Sequence, residues 1–388
     1  MTEFFPFNFS ISCLLVMMSS NQRRLAGIAN LGNTCYMNSA IQCGIVACDE
    51  LYYYFSSGEF DDNNSSSISK SIAWLLGEIG NEDNRNAIYP SMVKTAIDEH
   101  MPRFRGTNQN DCSEFLLELL DKIHEELNVS KDSNRGEQLS RSSSSFSMLT
   151  RSASSIAAMN GAISGKSARS INWRTKGEQW WSAHRKKENS IIRVLFEGAI
   201  RSVMTCDTCG GISARFETFS QLILPLSDSR KAKYTLKELL GQLFQGESID
   251  GIDCDYCKRK RIFSRSVDLW RLPPYLILTI SRFSFDYTAR INNTPVDYPV
   301  TETLSLEHLV ATDAPLQRTA EYELYGAIEH EGTLNRGHYT ACVRLGDQWH
   351  YVNDSRVTKI DKSAVSGRNA YMLFYKWREI DSMDLEQD

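Results

Sequence analysis

A cysteine, a histidine and an amide side chain, far apart in this sequence, have the settings expected of a thiol-based catalytic site. Cys35 follows the turn-rich run 30–34 and precedes a helical pattern. A thiol on the first turn of a helix lies at the positive end of the helix dipole, which favours the thiolate. The segments GHYTACVR at 337–344 and WHYVNDS at 349–355 supply a histidine and an Asn/Asp pair. This combination predicts a nucleophilic cysteine assisted by a distant base, as a thiol protease requires.

Four of the ten cysteines form two C-x-x-C pairs, the spacing of zinc knuckles. Cys206 pairs with Cys209 and Cys254 with Cys257, and residues 210–253 separate the two pairs. Four thiolates fit one tetrahedral Zn²⁺ and leave no open coordination position, so we expect a structural ion. The alternatives are two hairpin turns with free thiols, or a redox pair. A redox pair needs a thioredoxin-like context that the flanking strand patterns do not indicate.

Length, charge and cysteine usage narrow the class of protein. The chain has 388 residues, of which 41% are hydrophobic, and a net charge of −5, so we expect more than one lobe. Residues 129–190 carry 11 Lys/Arg and 4 Asp/Glu, a net +7, which leaves −12 for the remainder. An acidic body repels nucleic acid, and we expect no nucleic-acid partner. The six other cysteines have no framework spacing, which favours an intracellular location, cytoplasmic or nuclear or both.

The two ends of the chain are predicted to lie outside the folded domain. Residues 1–24 are interpreted as a poorly ordered extension. Its apolar run is too short, and too interrupted by Pro6 and Asn8, to span a membrane. It also lacks the basic start of a signal peptide, so we expect no membrane association. Residues 381–388 form an acidic tail.

Hydrophobic periodicity divides the remainder into a helical lobe and a strand-rich region. Helical spacing occurs at 72–80, 91–101 and 112–127, where Asp111 and Glu114 suggest a capping box at the start of the last helix. From residue 191 onward most apolar runs are β-rich and bounded by turn residues. The predicted class is therefore α+β, a helical lobe followed by a mainly antiparallel sheet.

A polar insert separates these two regions. Residues 129–170 contain 14 serines in 42 positions, and basic residues continue to about 188. Such a segment cannot bury enough apolar surface to offset the entropy of ordering it. We therefore predict a mostly disordered insert at about 129–188.

Six motifs, in order, resemble the sequence blocks of the ubiquitin-specific proteases. GIANLGNTCYMNSAIQ resembles their cysteine box, and GAIEHEGTLNRGHYTACVR with WHYVNDSRV resembles their histidine box. GTNQNDCSEFLLELLDKIHEEL, FEGAIRSVMTCDTCG, LPPYLILTISRFSFD and AYMLFYKW resemble the remaining blocks. The resemblance implies a papain-like catalytic domain at 25–380. Its thumb would span about 25–128 and its palm and fingers about 189–380, with zinc-bearing fingers at about 204–268.

The resemblance also implies an activity and roles for individual residues. The reaction would be hydrolysis of the isopeptide or peptide bond after the C-terminal glycine of ubiquitin. Cys35 would be the nucleophile and His338 the general base, preferred to His330 and His350 because of its Gly–His–Tyr setting. Asn30 matches the family's donor to the oxyanion.

The residue that orients His338 is left between two neighbours. The register of the WHYV strand favours Asn353, and Asp354 points the other way if the strand continues. Asp354 is the alternative orienter, or it assists at the oxyanion site.

Substrate contacts are expected along the path of the ubiquitin tail. Asp111 and Glu114 would pair with its arginines. Gly337 and Tyr339 would wall a channel narrow enough for the two terminal glycines. The expected partners are ubiquitin and ubiquitinated proteins, and an activating or targeting partner protein is left open.

Two alternatives to an active deubiquitinase are kept. One is a ubiquitin-binding scaffold whose site is dead or latent, and the other is a protease for a ubiquitin-like modifier. Cys112 stands where the family usually has alanine, a change close to isosteric. No catalytic residue is missing, which favours an active enzyme.

Overall fold

The computed structural model describes residues 23–56, 60, 67–81, 83, 86–130, 148–149, 163–165, 171–227, 231–284, 290–315, 319–333, 336–365 and 370–378. The acidic tail 381–388 and residues 1–22 lie outside the described residues, as does most of the Ser-rich part of the insert.

Eight α-helices occur in the described part of the chain. They are α1 Cys35–Ile41, α2 Asp49–Ser56, α3 Ser67–Gly80, α4 Ser91–His100, α5 Cys112–Leu127, α6 Trp173–Arg185, α7 Ile191–Phe196 and α8 Leu236–Leu243. The first five form the thumb. All seven residues of α1 are buried, because the helix lies between the rest of the thumb and the sheet.

The strands within the described residues begin at the insert and continue to the C-terminal part of the domain. They are β1 Met148–Leu149, β2 Ile163–Gly165, β3 Gly198–Cys206, β4 Ile212–Phe219, β5 Gln221–Pro225, β6 Tyr234–Thr235, β7 Glu247–Cys254, β8 Arg259–Arg271, β9 Tyr275–Ser281, β10 Phe283–Ser284, β11 Arg290–Ile291, β12 Val296–Asp297, β13 Leu304–Ser305, β14 Glu321–Thr333, β15 Arg336–Leu345, β16 Gln348–Asn353, β17 Arg356–Ile360 and β18 Ala370–Trp377.

One large sheet forms the palm. Its order is β1-β5-β9-β18-β14-β15-β16-β17, and β13 also pairs with β14. Most pairs are antiparallel, but β5 runs parallel to both β1 and β9. The predicted α+β class is confirmed, and the sheet is mixed rather than purely antiparallel. The order places β15, β16 and β17 side by side, so residues at the end of β16 lie between the two neighbouring strands.

A second sheet forms the fingers and carries both cysteine pairs at one end. Its order is β2-β4-β3-β8-β7. Cys206 ends β3, and Cys254 ends β7. Because β3 and β7 both pair with β8, their ends lie next to each other.

The helix α5 begins as the sequence predicts, but its capping differs in one detail. Asp111 Oδ1 accepts hydrogen bonds from the backbone amides of Ser113 at 2.8 Å and Glu114 at 2.9 Å. The side chain of Glu114 pairs instead with Arg103. The predicted capping box is therefore only half formed, because an arginine of the preceding turn attracts the glutamate.

The predicted disorder of 129–188 is wrong for its last part. Helix α6 packs against the fingers, with Trp180 stacked on Phe216 at a centroid distance of 5.6 Å. Gly177 faces the ring of Trp270 in the same contact. The tryptophans of this helix supply the apolar surface that the serine-rich part lacks. Burying that surface offsets the conformational entropy lost when the helix is ordered.

The N-terminal boundary also shifts slightly from the predicted 1–24. Arg23 forms an ion pair with Asp49 and a hydrogen bond to the carbonyl of Val46, and its guanidinium lies 4.5 Å from the ring centroid of Tyr52. Arg24 Nη1 donates to the carbonyl of Asn81 at 2.6 Å. Residues 23 and 24 therefore belong to the thumb.

Among the described helices, none has the length and apolar character needed to cross a membrane.

The contact between α6 and the fingers yields a stability prediction. A Cβ at Gly177 would lie 2.4 Å from the Trp270 ring, so Gly177→Ala must push the helix off the sheet. We expect the free energy of unfolding to fall by about 1–3 kcal/mol, as for other overpacked cores. Urea denaturation measures it.

The matched control is Gly77→Ala in α3, an exposed position where a Cβ meets nothing within 4 Å. That change should leave stability unchanged or raise it by up to about 1 kcal/mol. Equal effects of the two substitutions would contradict the packing described for Gly177.

Candidate active site

The thiol of Cys35 lies on the first residue of α1, at the junction of thumb and palm. Cys35 is 4% exposed. The preceding Thr34 makes no side-chain cap, because its Oγ1 accepts from the amide of Leu31 at 2.9 Å. The first amides of a helix have no partner within the helix. The N–H of Cys35 is therefore free of an intrahelical acceptor, next to its own thiol.

His338 lies near the start of β15 and is oriented from the neighbouring strand. Its Nε2 lies 2.9 Å from Oδ1 of Asn353, the last residue of β16. An amide oxygen only accepts, so His338 carries its proton on Nε2 when it is neutral. The other nitrogen, Nδ1, is left with its lone pair. The backbone of Tyr339, the next residue, hydrogen-bonds the Cys35 thiol, which places β15 directly beside the sulfur.

Asp354 points away from His338 and toward the thumb. Its φ of +48° turns the chain immediately after Asn353. Asn30 Nδ2 donates to Asp354 Oδ2 at 2.9 Å, and Asn38 Nδ2 donates to Asp354 Oδ1 at 2.7 Å. The adjacent side chains thus contact different elements, Asn353 the histidine and Asp354 the loop before Cys35.

The amide of Asn30 is held at both ends. Its oxygen accepts from the backbone amides of Gly32 at 2.9 Å and Thr34 at 3.1 Å, which closes the turn before α1. Gly32 has φ +104°, a conformation that glycine adopts readily. With the oxygen held by the turn, the Nδ2 group faces Asp354.

The surroundings of Cys35 favour the neutral thiol. Burial raises the pKa of the Cys35 thiol, and the negative charge of Asp354 raises it further. Backbone hydrogen bonds from Tyr339 and Tyr36 oppose these effects without overcoming them. Burial and the charge of Asp354 therefore oppose the thiolate that the helix position favours, and a cationic partner would stabilise it.

Gln109 is a site residue that the sequence reasoning did not single out. Its Nε2 donates to the carbonyl of Gly337 at 3.0 Å, and its Oε1 accepts from the Gly337 amide at 2.9 Å. This pair of bonds ties the thumb to the residue before His338. Gln109 lies within the family-like motif GTNQNDCSEF, which could have marked it as a candidate. The sequence alone does not show that its side chain binds the backbone of Gly337.

Gly337 is required by its neighbour His330. A Cβ at Gly337 would lie 2.0 Å from Nε2 of His330, so the imidazole occupies the space beside this backbone. That contact leaves no room for a side chain at this position, and the approach of a substrate to Gly337 stays a prediction. Burial, with the charges of Arg282 and His338, lowers the pKa of His330 to about 4. His330 is neutral near pH 7.

Tyr339 does not line an open channel as predicted. It is 6% exposed, and its ring packs against His330 at a centroid distance of 4.6 Å and Tyr371 at 5.9 Å. Alternation along β15 sends this side chain into the core, away from the solvent side. Its backbone hydrogen-bonds the Cys35 thiol.

The two acidic residues predicted to bind the tail have different surroundings. The carboxylate of Asp111 caps α5 and also accepts a hydrogen bond from Tyr371. Burial raises the pKa of this carboxyl despite these hydrogen bonds. Glu114 is about 40% exposed and pairs with Arg103. Both lie on the Gln109 side of the site.

The four predicted metal ligands come together in the fingers. The sulfurs of Cys206, Cys209, Cys254 and Cys257 all lie within 4.8 Å of one another, and those of Cys209 and Cys254 are 3.6 Å apart. Ligands of a tetrahedral Zn²⁺ with Zn–S bonds near 2.3 Å lie about 3.8 Å apart. The cluster therefore has the size of a four-thiolate metal site.

Backbone amides around this cluster favour thiolates. The amide of Gly211 donates to the sulfur of Cys209, and the amide of Cys257 to that of Cys254, both at 3.4 Å. The bond from Cys257 is the main reason that the pKa of Cys254 falls to about 7. At Cys209 the bond from Gly211 lowers the pKa, but burial and the neighbouring cysteines outweigh it and raise the pKa to about 12. Metal binding requires thiolates, so the amide bonds favour it most at Cys254.

Comparison with known proteins identifies the family. The family model described as ubiquitin carboxyl-terminal hydrolase matches residues 26–375. The chain belongs to this family.

Individual relatives agree with that assignment. Ubiquitin carboxyl-terminal hydrolase 2 of the rat is 30% identical over 93% of this chain and 55% of its own length. The chicken protein of the same name is 31% identical over 91% of this chain and 93% of its own. The chain thus spans only about half the length of the mammalian relatives. The resemblance to ubiquitin-specific proteases is confirmed.

The fold has a counterpart among the solved structures. The SAGA Ubp8/Sgf11/Sus1/Sgf73 DUB module bound to ubiquitin aldehyde matches with a TM-score of 0.68 at 22% identity. The match covers 93% of this chain and 72% of that chain. It confirms the fold, a thumb, palm and fingers arrangement built of helices and mixed sheets.

The charge of Asp354 gives this hydrolase-family site a testable pH behaviour. Asp354→Asn keeps an acceptor for Asn30 or Asn38 but removes the negative charge that raises the pKa of Cys35. We expect the pH midpoint for alkylation of Cys35 by iodoacetamide to move down. Peptide mass spectrometry of the Cys35 peptide reads the rate at each pH.

The exposed carboxylate of Asp361 makes only local hydrogen bonds, to Ser363, so Asp361→Asn is the matched control and should leave the midpoint unchanged. An unchanged or higher midpoint in Asp354→Asn would show that its charge does not act on the thiol.

Proposed function

We propose that this chain is a deubiquitinating cysteine protease that hydrolyses the isopeptide or peptide bond after the C-terminal glycine of ubiquitin. The observation that carries the proposal is the 2.9 Å contact of His338 Nε2 with Asn353. Tyr339, which follows His338 in β15, hydrogen-bonds the Cys35 thiol through its backbone. Family membership supplies the substrate class. We assign Cys35 as nucleophile, His338 as general base and Asn353 as its orienting residue.

The proposed reaction uses the lone pair of His338 Nδ1 and two N–H donors, the backbone amide of Cys35 and Nδ2 of Asn30. His338 Nδ1 takes the thiol proton, and the imidazolium then stabilises the thiolate that burial disfavours. The sulfur attacks the glycine carbonyl carbon. The oxyanion accepts hydrogen bonds from the Cys35 amide and Asn30 Nδ2, which Asp354 holds in place. His338 then protonates the leaving lysine amine, and water hydrolyses the thioester.

The ubiquitin tail is assigned to the side of the site where Gln109, Asp111 and Glu114 lie. Gly337 would contribute backbone there, since its N–H and C=O are fixed by Gln109. Glu114 is the exposed carboxylate, so pairing with a tail arginine would require it to leave Arg103. Asp111 would act through its buried charge and by holding the end of α5.

A latent scaffold remains a second candidate because the isolated site favours the neutral thiol. A protease for a ubiquitin-like modifier is the third. The contact between His338 and Asn353 is already formed without a substrate, which favours a competent enzyme.

We further propose that the cysteine cluster holds one structural Zn²⁺. The donor set, the sulfur spacing and the amide bonds to sulfur fit this ion. No described cysteine is part of a disulfide, which supports a reducing, intracellular location, cytoplasmic or nuclear.

Reaction with ubiquitin that carries a C-terminal electrophile tests the proposed chemistry. Wild type should form a one-to-one adduct visible by intact mass. Cys35→Ala should form none, and His338→Ala should slow adduct formation by about two orders of magnitude or more, since general-base catalysis contributes that much.

Two further variants separate the neighbours 353 and 354. Asn353→Ala should lower the adduct rate, because His338 loses the side chain that orients it. Asp354→Asn should retain more activity than Asn353→Ala. Binding of ubiquitin without any adduct would favour the scaffold, and no binding would favour a different modifier.

Metal analysis tests the zinc proposal. Purified protein should contain about one zinc per chain, as one four-thiolate site requires. Cys254→Ser should lose the metal and unfold the fingers at lower urea, whereas Cys48→Ala, a buried thiol outside the cluster, should keep it. Zinc well below stoichiometry, with all four thiols titrating freely, would contradict the proposal.

A further inference from the structure

A groove adjoins the candidate active site, and Gln109, Asp111 and Glu114 are not among its lining residues. It has a volume of about 430 Å³ and begins at Asn30 and Asn353. From there it runs outward between the β16–β17 turn, with Arg356, and the extended segment that carries Tyr89. This volume falls within the range of ligand sites.

The groove is built from three extended segments held by backbone hydrogen bonds. Ile88 N donates to the Gly27 carbonyl and Ala29 N to the Ile88 carbonyl, both at 2.8 Å. On the other side, Ile28 N donates to the Asp354 carbonyl at 3.0 Å. The small side chain of Ala29 forms the floor, so the walls stand apart on a fixed base.

One wall exposes an aromatic ring without a packing role. Tyr89 is 71% exposed, whereas the residue before it, Ile88, is 3% exposed. Alternation along the extended segment sends Ile88 inward and Tyr89 outward. Met92, on the first turn of α4, is also 49% exposed. Exposed aromatic and methionine side chains are typical of protein-binding surfaces.

The opposite wall offers one uncompensated positive charge. Arg356 is exposed, and within the described residues no ion pair of its guanidinium is found. The nearest carboxylate in sequence, Asp354, is already bonded to Asn30 and Asn38. The groove therefore combines an apolar wall with a basic one.

We propose that this groove binds the acceptor side of the substrate, the polypeptide segment around the modified lysine. The inference rests on the proposed function. If the ubiquitin tail reaches Cys35 along Gln109 and Gly337, the leaving lysine needs a second path, and the groove that shares Asn30 and Asn353 with the site but none of the tail residues supplies it. Its chemistry fits an extended acceptor segment with an apolar residue for Tyr89 and an acidic residue for Arg356.

Tyr89 and Arg356 are therefore specificity residues for the acceptor, and neither contributes to capture of ubiquitin itself. This separation makes the proposal testable, because leaving groups can be changed while ubiquitin stays the same. Ubiquitin–aminomethylcoumarin has a leaving group that does not fill the groove. Ubiquitin joined by an isopeptide bond to a peptide does fill it.

The experiment compares kcat/KM on three substrates. They are ubiquitin–aminomethylcoumarin, ubiquitin linked to a peptide with a tyrosine and a glutamate beside the lysine, and the same conjugate with that glutamate replaced by lysine. Tyr89→Ala should lower kcat/KM on both conjugates by about fivefold or more, as for an aromatic contact at an interface. It should leave the coumarin substrate unchanged, and Tyr89→Phe should behave like wild type.

Charge exchange tests the other wall. Wild type should prefer the acidic conjugate by about two- to fivefold, the range of an exposed ion pair, and Arg356→Glu should reverse this preference. Lys362→Glu makes the same charge change beyond β17, at a residue that does not line the groove, and should leave the preference as in wild type.

Two results would overturn the inference while leaving the deubiquitinase intact. One is an equal loss on the coumarin and peptide substrates, which would assign Tyr89 to ubiquitin binding or folding. The other is a wild-type kcat/KM on all three substrates in both Tyr89→Ala and Arg356→Glu. Failure of wild type to cleave ubiquitin–aminomethylcoumarin or to react with the electrophile would instead overturn the proposed function, and this inference with it.

Discussion

The carboxylate of Asp354 joins the two halves of the site, and the rest of the arrangement depends on it. Its two oxygens accept from Asn30 and Asn38 on the thumb, while its backbone carbonyl accepts from Ile28. Hydrogen bonds to a charged group contribute about 1.5–3 kcal/mol each. Since Asn353 precedes it and contacts His338, one turn after β16 positions both the proposed base and the loop before Cys35, the proposed nucleophile.

The negative charge of Asp354 also opposes ionisation of the Cys35 thiol. Together with burial it raises the pKa of the Cys35 thiol, so the site at rest favours the neutral form. In the proposed mechanism, the imidazolium of His338 stabilises the thiolate. Asp354 thus orders the site but makes the Cys35 thiol harder to ionise. The contacts that hold His338 in place are therefore important. Gln109 fixes the backbone before it, and neutral His330 fills the space beside Gly337.

The sequence predicted those features that depend on local pattern. The two C-x-x-C pairs predicted the cysteine cluster. Strand β16 was expected to continue through Asp354, but it ends at Asn353, and the φ of +48° at Asp354 turns the chain toward the thumb. Features that depend on a tertiary partner were missed. Glu114 left the capping box for Arg103, and Tyr339 proved to be core because His330 and Tyr371 surround it. Helix α6 was assigned to the disordered insert because of its basic charge, although its tryptophans indicated that it could pack.

A high-resolution structure of the adduct between this chain and a ubiquitin C-terminal electrophile tests the central claim most directly. The account predicts a bond from Cys35 Sγ to the end of the ubiquitin tail, with His338 Nε2 still on Asn353 and Nδ1 toward the sulfur. The tail should enter along Gln109 and Gly337, and the Asn30–Asp354 contact should persist. A bond to another cysteine, or a His338 ring turned away from Asn353 in the adduct, would contradict it.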